Sequence, residues 1–413
     1  MGLKCYTETG NVIGLDLSCS CLVGPIPLTA LSSAFGPIPA SLSNLTQLKT
    51  LALSHNQFSG LIPFSIFNLP QVELLDFSYN NLLGSLPSQV GGLSRLVDLL
   101  LDHYFLSGPI PDPISELVNL ALLDLSSNNL SGNFELHKLS SASNANYCLP
   151  DLSTLNLSSC NTKYYPWKNV ETLNLGSNLL EGQLLVPPLS TKVFLISNNR
   201  LTGAIPSSMC NIGFDSNTFD LSNNNLSGAI PTCMAYAKLR HLYLHMNHFH
   251  GVIPDFYVED YMLNRLNLND NDFEGPVPKS LVNCQHLEVL NLGNNKINGT
   301  FPHWLGILPR LQVLALRSNH FHGRKALQKM DRISGMGYRS SYNEDSVVIT
   351  MKDVNIELEI TLTIFATIDM SSNRFEGSIS ETVGNLLSLK VLNFSHNHLT
   401  GSRSFLIREN DST

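Results

Sequence analysis

Four of the chain's thirteen histidines fall within ten residues, in the stretch HLYLHMNHFH (241–250). His241 and His245 have the His-x3-His spacing that puts two imidazoles on one face of a helix, where they could hold zinc. On a strand the same spacing sets the two backbones ~13–14 Å apart with side chains projecting in parallel. One ion, with ligands at ~2 Å, cannot take both from there. The chemistry therefore turns on which element carries the stretch. Elsewhere the chain has no Gly-rich phosphate loop, no nucleophile elbow and no triad spacing, and its Asp and Glu are scattered singly. Its eight cysteines, at 5, 19, 21, 148, 160, 210, 233 and 284, include no Cys-x2-Cys pair. These patterns predict a non-catalytic protein with no cofactor and no metal.

The elements follow from an internal repeat. LALSHNQFSGLIP (51–63), LDFSYNNLLGSLP (75–87), FDLSNNNLSGAIP (219–231), LNLNDNDFEGPVP (266–278) and LNLGNNKINGTFP (290–302) share Leu-x-Leu-x-x-Asn-x-Leu-x-Gly, often followed by x-Ile-Pro. The Asn position falls at 20 (Ser), 56, 80, 104 (Tyr), 128, 160 (Cys), 178, 199, 224, 247, 271, 295, 319, 373 and 397, and seven of these fourteen intervals are 24 residues. Leu-x-Leu alternates with period two and reads as a short strand with both leucines inward. The Asn amide both donates and accepts, so it can satisfy backbone groups of adjacent coils. Gly permits a left-handed backbone, and Pro removes a donor where no sheet partner is needed. One unit cannot bury its leucines alone, but stacked units can. The expected fold is an α/β-type leucine-rich-repeat solenoid: a right-handed superhelix with a parallel concave β-sheet, about fifteen 24-residue repeats and one inserted island. HLYLHMNHFH is then a strand and turn, with Asn247 in the ladder, and the zinc reading falls.

The segments read as 1–14 for a remnant of an N-terminal cap, 15–323 for the array (irregular at 24–40 and 133–170), 324–360 for the island, 361–401 for the last repeats and 402–413 for a tail. The island's second half, SVVITMKDVNIELEI (346–360), alternates like a strand pair. Charged residues make up 14% of the chain, against ~25% in an average soluble protein. The net charge of -8 leaves no basic surplus for nucleic acid or an anionic membrane surface. The most apolar run, ITLTIFATI (360–368), is half the ~18 residues a membrane helix needs.

The Ser-Gly-x-Ile-Pro unit resembles the plant-specific class of extracellular leucine-rich repeats. CYTETGNVIGLDLSCS (5–20), the stretches 166–211 and 280–323, and YNEDSVVITMK followed by FATIDMSSNRFEGSI resemble the fungal-resistance receptor-like proteins of tomato. The resemblance implies a ligand-recognition ectodomain at the plasma membrane, facing outward, in defence or development. It implies a protein, peptide or glycan ligand, signalling through co-receptor and adaptor receptor kinases, and attachment by a C-terminal membrane helix. The cap keeps only Cys5, and neither a leader nor that helix is present, so the reading expects a chain truncated at both ends. The alternatives are a secreted cell-wall inhibitor resembling polygalacturonase-inhibiting proteins, or a non-functional truncated product.

Candidate binding residues lie two, four and six positions before the ladder residue, on the concave face expected to be exposed. They are His241, Tyr243, His245, Arg265, Asn267 and Arg317, types that anchor interfaces. In the island, composition and family position nominate Tyr338, Arg339, Tyr342 and Asp345. Glycosylation sequons occur at Asn44, Asn129, Asn156, Asn225, Asn298, Asn393 and Asn410, several of them generated by the repeat consensus itself. Cys210 and Cys233, in successive repeats, can pair on the convex side in an oxidising compartment. Cys284 is expected to be free.

Overall fold

A computed structural model describes residues 2–5, 12–18, 35–133, 169–211, 218–236, 239–255, 262–323, 346–351, 354–359, 366–379 and 389–400. The chain divides into two compact units, 1–214 and 215–413.

In the first unit, strand Gly2–Cys5 lies antiparallel to Val12–Asp16. Parallel strands then follow in chain order: Thr50–Ala52, Leu74–Asp76, Asp98–Leu100, Leu122–Asp124, Thr172–Asn174 and Val193–Leu195. In the second unit the order is Thr218–Asp220, His241–Tyr243, Arg265–Asn267, Val289–Asn291, Val313–Ala315, Ala366–Asp369 and Leu389–Asn393. These are the Leu-x-Leu segments, and their central leucines are buried: Leu51, Leu75, Leu99, Leu242, Leu266 and Leu290 are at most 1% exposed.

Each unit has a second parallel sheet, which the repeat letters did not announce. It is made by the segment after the ladder Asn, for example Gln57–Leu61, Asn81–Gly84 and Phe105–Gly108, or His248–Val252, Asp272–Gly275 and Lys296–Thr300. Phenylalanines of that segment line the core side, with Phe249 stacked on Phe273 and Phe321 on Phe375. The Ile-Pro step leads into single 3-10 turns such as Phe64–Asn68 and Lys279–Asn283, with the proline extended just before the first residue. Among the described residues there is no α-helix, hence none long and apolar enough to cross a membrane.

The ladder closes each coil on its neighbour. Asn247 Nδ2 donates to the carbonyls of Leu221 at 2.9 Å, Leu244 at 3.2 Å and His245 at 3.2 Å. Its Oδ1 accepts from the Leu226 N–H at 3.0 Å. Asn271, Asn295, Asn319 and Asn373 repeat the pattern. One side chain thus satisfies four buried backbone groups from two coils, each costly to leave unpaired. The residue before each ladder position is left-handed, with φ from 50° to 58°, and none of these thirteen residues is glycine. The turn is therefore held by the ladder bonds rather than by a permissive residue.

The second unit also holds an antiparallel hairpin, Ser346–Met351 paired with Val354–Glu359. It falls where the sequence alternates like a strand pair.

Candidate functional site

Register aligns the concave side chains of the second unit in rows. One row runs Thr218, His241, Arg265, Val289, Val313, Thr367. The next runs Asp220, Tyr243, Asn267, Asn291, Ala315, Asp369. A third, at the strand exits, holds His245, Asn269, Gly293 and Arg317.

The histidine stretch lies on this face as a strand. His241 Nδ1 is 3.0 Å from Thr218 Oγ1. The His241 and Tyr243 rings are stacked with centroids 6.2 Å apart, and His245 meets Tyr243 edge-on at 6.4 Å. His248 and His250 are exposed on the other sheet. Among the described residues no three His, Cys, Asp or Glu are grouped to hold a metal.

One expectation is corrected. Concave positions were to be exposed, yet Arg265 is 7%, Arg317 6%, Asn267 7% and Tyr243 9% exposed. Burying a guanidinium is costly unless it is hydrogen-bonded or paired, and both arginines are engaged in contacts. Arg265 sits near Glu288, whose carboxyl is pushed up by burial and held back by Arg265 and Arg310.

The third row has a built geometry. A Cβ on Gly293 would lie 2.6 Å from Asn269 Oδ1, 3.1 Å from Arg317 Cγ and 3.3 Å from Asn291 Oδ1. Only glycine lets the Arg317 stem approach Asn269 across that strand. Asn269 Nδ2 donates to the Asp270 carboxylate. Asn269 Oδ1 and Thr367 Oγ1 are buried with no hydrogen-bond partner among the described residues. Asn269, Asn291, Gly293 and Thr367 join the site through register. A sequence pass weighted toward aromatic, His and Arg residues passes over them.

The first unit's concave face differs. Asp16, Asp76, Asp98, Asp102 and Asp124 occupy its rows, with no Arg or Lys among the described positions. Asp76 and Asp124 each accept from a serine two residues on, Ser78 Oγ at 2.6 Å and Ser126 Oγ at 2.7 Å. Burial pushes the Asp98 and Asp102 carboxyls up, and the His103 hydrogen bond, 2.8 Å from Nδ1 to Asp102 Oδ2, partly offsets this for Asp102. Along the left-handed positions, His55, Tyr79 and His103 stack face to face with centroids 4.3 and 4.0 Å apart. That stack was not expected. Its signal is a row of ring residues one place before the ladder position.

Tyr338, Arg339, Tyr342, Asp345, Asn156, Asn410 and Cys160 lie outside the described residues. Asn44, Asn129, Asn225 and Asn298 are exposed, whereas Asn393 is half-buried on a concave strand. Cys210 and Cys233 are each disulfide-bonded. Cys284 is a buried free thiol, pushed up to about 12 by burial, which removes it from thiolate chemistry.

A leucine-rich-repeat family profile matches residues 262–321, and a second matches 47–69, 71–93, 217–236 and 388–409. Among curated proteins of Arabidopsis thaliana, Receptor-like protein 52 is 42% identical over 62 residues, covering 15% of this chain and 8% of that protein. Receptor-like protein 6 is 36% identical over 92 residues, covering 19% and 9%. The matched stretches are thus under a tenth of the relatives' length. Among solved structures, PEPR1 with AtPEP1 superposes with a TM-score of 0.71 at 28% identity, over 90% of this chain and 45% of that one. The TDR receptor gives 0.68 at 27%, over 95% and 65%. The complex of Arabidopsis HAESA with the peptide hormone IDA and the co-receptor SERK1 gives 0.68 at 24%, over 94% and 58%, which shows the shared fold.

Proposed function

We propose that this chain, a leucine-rich-repeat protein of the plant receptor-like kind, is a non-catalytic ligand-recognition ectodomain whose binding face is the concave sheet of its second unit. The observation that carries this is the third row with its neighbour. Two arginines, 265 and 317, share a sheet face with Asn269 Oδ1 and Thr367 Oγ1, polar atoms buried without a partner among the described residues. Guanidinium groups and orphaned acceptors of this kind suit a peptide, whose carboxylates, carbonyls and amides supply matching groups.

In this reading the chain faces the cell exterior and acts in defence or development through partner receptor kinases. The exposed Asn44, Asn129, Asn225 and Asn298 carry glycans on surfaces away from the groove. Tyr338, Arg339, Tyr342 and Asp345 add contacts from the island.

The test is capture. The immobilised chain is incubated with the peptide fraction of apoplastic wash fluid, and bound species are identified by mass spectrometry. Specific peptides should be retained, and Arg265→Gln with Arg317→Gln should lower retention at least ~10-fold, the loss of a charged hydrogen bond or more. Retention equal in both proteins, or no retained peptide, sinks the proposal.

A further inference from the structure

The second sheet, formed after the ladder Asn, also differs in chemistry between the units. In the first unit its strands Gln57–Leu61, Asn81–Gly84 and Phe105–Gly108 carry no ionisable side chain. In the second unit three successive strands, His320–Gly323, Arg374–Gly377 and His398–Leu399, gather histidine. His320 and His322 alternate along their strand, so they project from one face ~7 Å apart. Register sets His322 opposite Arg374 and Glu376 opposite His398. His396, at the left-handed corner two residues before His398, is exposed, as are the other five. Four of the chain's thirteen histidines thus lie on three neighbouring coils, with one arginine and one carboxylate among them.

The strand before them, Lys296–Thr300, sets Asn298 opposite His320 and Thr300 opposite His322, and both are neutral. Its Lys296 is held by Asp272 at 2.7 Å, on the strand beyond. Among the described residues of these strands, Glu376 is therefore the one carboxylate beside the histidines.

Histidine is the side chain that changes charge between pH 5 and 8. In neutral solution the strip sets Arg374 against Glu376 and is balanced. In acid five cations face one carboxylate, at spacings of ~5–7 Å fixed by the strands. Like charges held this close repel, and an anion that bridges them relieves the repulsion.

The chemistry of that anion follows from what the strip lacks. Protein interfaces are anchored by aromatic and apolar side chains. The outward residues here, His320, His322, Arg374, Glu376 and His398, include none that is apolar. A flat run of charge suits a polymer with carboxylates at short regular intervals, each able to meet an imidazolium or the guanidinium. An acidic polysaccharide has that form.

We propose that this strip is an acid-switched binding surface for a polyuronate glycan, on a different sheet from Arg265 and Arg317. It involves no peptide, so it stands apart from the function proposed above.

The experiment passes the full chain over immobilised polygalacturonate at pH ~5.5 and ~7.5, where the polymer's carboxylates are ionised throughout. The chain is made in plant cells, so that a glycan on Asn298, opposite His320, is in place. Retention at pH ~5.5 should exceed that at pH ~7.5 at least ~10-fold and vanish in ~1 M salt. Changing His320, His322, His396 and His398 together to Gln should abolish the gain in acid. Changing the same four to Arg should give retention at both pH values. His55→Gln with His103→Gln removes two exposed histidines of the first unit and should leave retention as in the wild type. Buried Cys284, closed to iodoacetamide, reports an intact coil in each protein. Should the fourfold Gln variant open it, His320→Gln with His322→Gln and His396→Gln with His398→Gln are made separately, and each should reduce the gain in acid. Equal wild-type retention at both pH values overturns the proposal. So does a gain in acid that survives loss of the four histidines, or one that falls as far in the first-unit variant. Retention on poly-glutamate but not on polygalacturonate overturns it too, because the partner is then an acidic protein.

Discussion

The concave faces of the two units are built from the same repeat and have become different surfaces. In the first, the positions flanking each central leucine are mostly half-exposed, Asp76, Asp98 and Asp124 among them, the strand-exit residues Ser54, Ser78, Asp102 and Ser126 are buried, and a His55–Tyr79–His103 stack runs at the edge. In the second, the flanking positions from Tyr243 to Asp369 are buried, arginine and asparagines among them, and Asn269 Oδ1 and Thr367 Oγ1 have no hydrogen-bond partner among the described residues. The backbone ladder is common to both, so it cannot carry recognition. The three outward positions per strand are where the units part, and burial is the larger difference. A polar group that is free of water interacts more strongly with whatever reaches it.

The largest expected effect lies in what the units share. Asn295→Ala removes the acceptor for the Phe273 N–H and one of two donors at each of the Leu268, Leu292 and Gly293 carbonyls, which keep Asn271 Nδ2, Asn319 Nδ2 and the Asp270 N–H. Leaving the Phe273 N–H unpaired and thinning the three carbonyl pairings should cost about 2–3 kcal/mol, read as a lower urea midpoint by Trp304 fluorescence in a Trp167→Phe background. A cost under about 1 kcal/mol would show that the ladder does not hold the coils.

The next contrast compares equivalent locks. Ser371 donates to Asp369 from N at 3.0 Å and Oγ at 2.7 Å, and Asp369 is fully buried. Ser78 does the same for Asp76 at 3.0 and 2.6 Å, where the carboxylate is half-exposed. Ser371→Ala should cost about 1.5–3 kcal/mol and Ser78→Ala about 0.5, because water can replace the hydroxyl only in the second case. Equal costs in urea titrations would mean that the faces do not differ in solvation.

Gly293→Ala should destabilise the second unit by about 1–2 kcal/mol, since its Cβ meets Asn269 and Arg317 too closely. It should also weaken peptide retention, because the Arg317 stem must move. Stability and retention both at wild-type values would show that the third row is not built around this glycine.

The smallest effect belongs to the first unit. Burial raises the Asp98 carboxyl above 3.8 in the folded state, so ionisation there opposes folding. The cost is present above the folded value and vanishes below 3.8, where both states are protonated. Asp98→Asn should therefore raise stability at pH ~7 by a few tenths of a kcal/mol after solvent screening, and by nothing at pH ~3. A gain that is equal at both pH values would reject that origin.

The array was legible because Leu-x-Leu, ladder Asn and Gly-x-Ile-Pro each force a local geometry whose sum is a coil. The strand reading of 241–250 and the strand pair at 346–360 came from the same alternation. The second sheet was hidden because its residues after the ladder Asn show no separate period. The burial of Arg265 and Arg317 was hidden for another reason. Burial at one concave position depends on the side chains of neighbouring coils, and no spacing around 265 or 317 encodes it. The stack of His55, Tyr79 and His103 shows only when the position before the ladder residue is compared across repeats, because the repeat letters leave that position unspecified.

The most direct measurement is peptide capture by four proteins side by side: the wild type, Arg265→Gln with Arg317→Gln, Asp76→Asn with Asp124→Asn, and a triple alanine variant at His55, Tyr79 and His103. Retention should fall at least ~10-fold in the arginine variant alone and stay within ~2-fold in the two variants of the first unit, a difference of about 1.4 kcal/mol or more. Loss in a first-unit variant, with the arginine variant still binding, would place recognition on the other face and contradict the account.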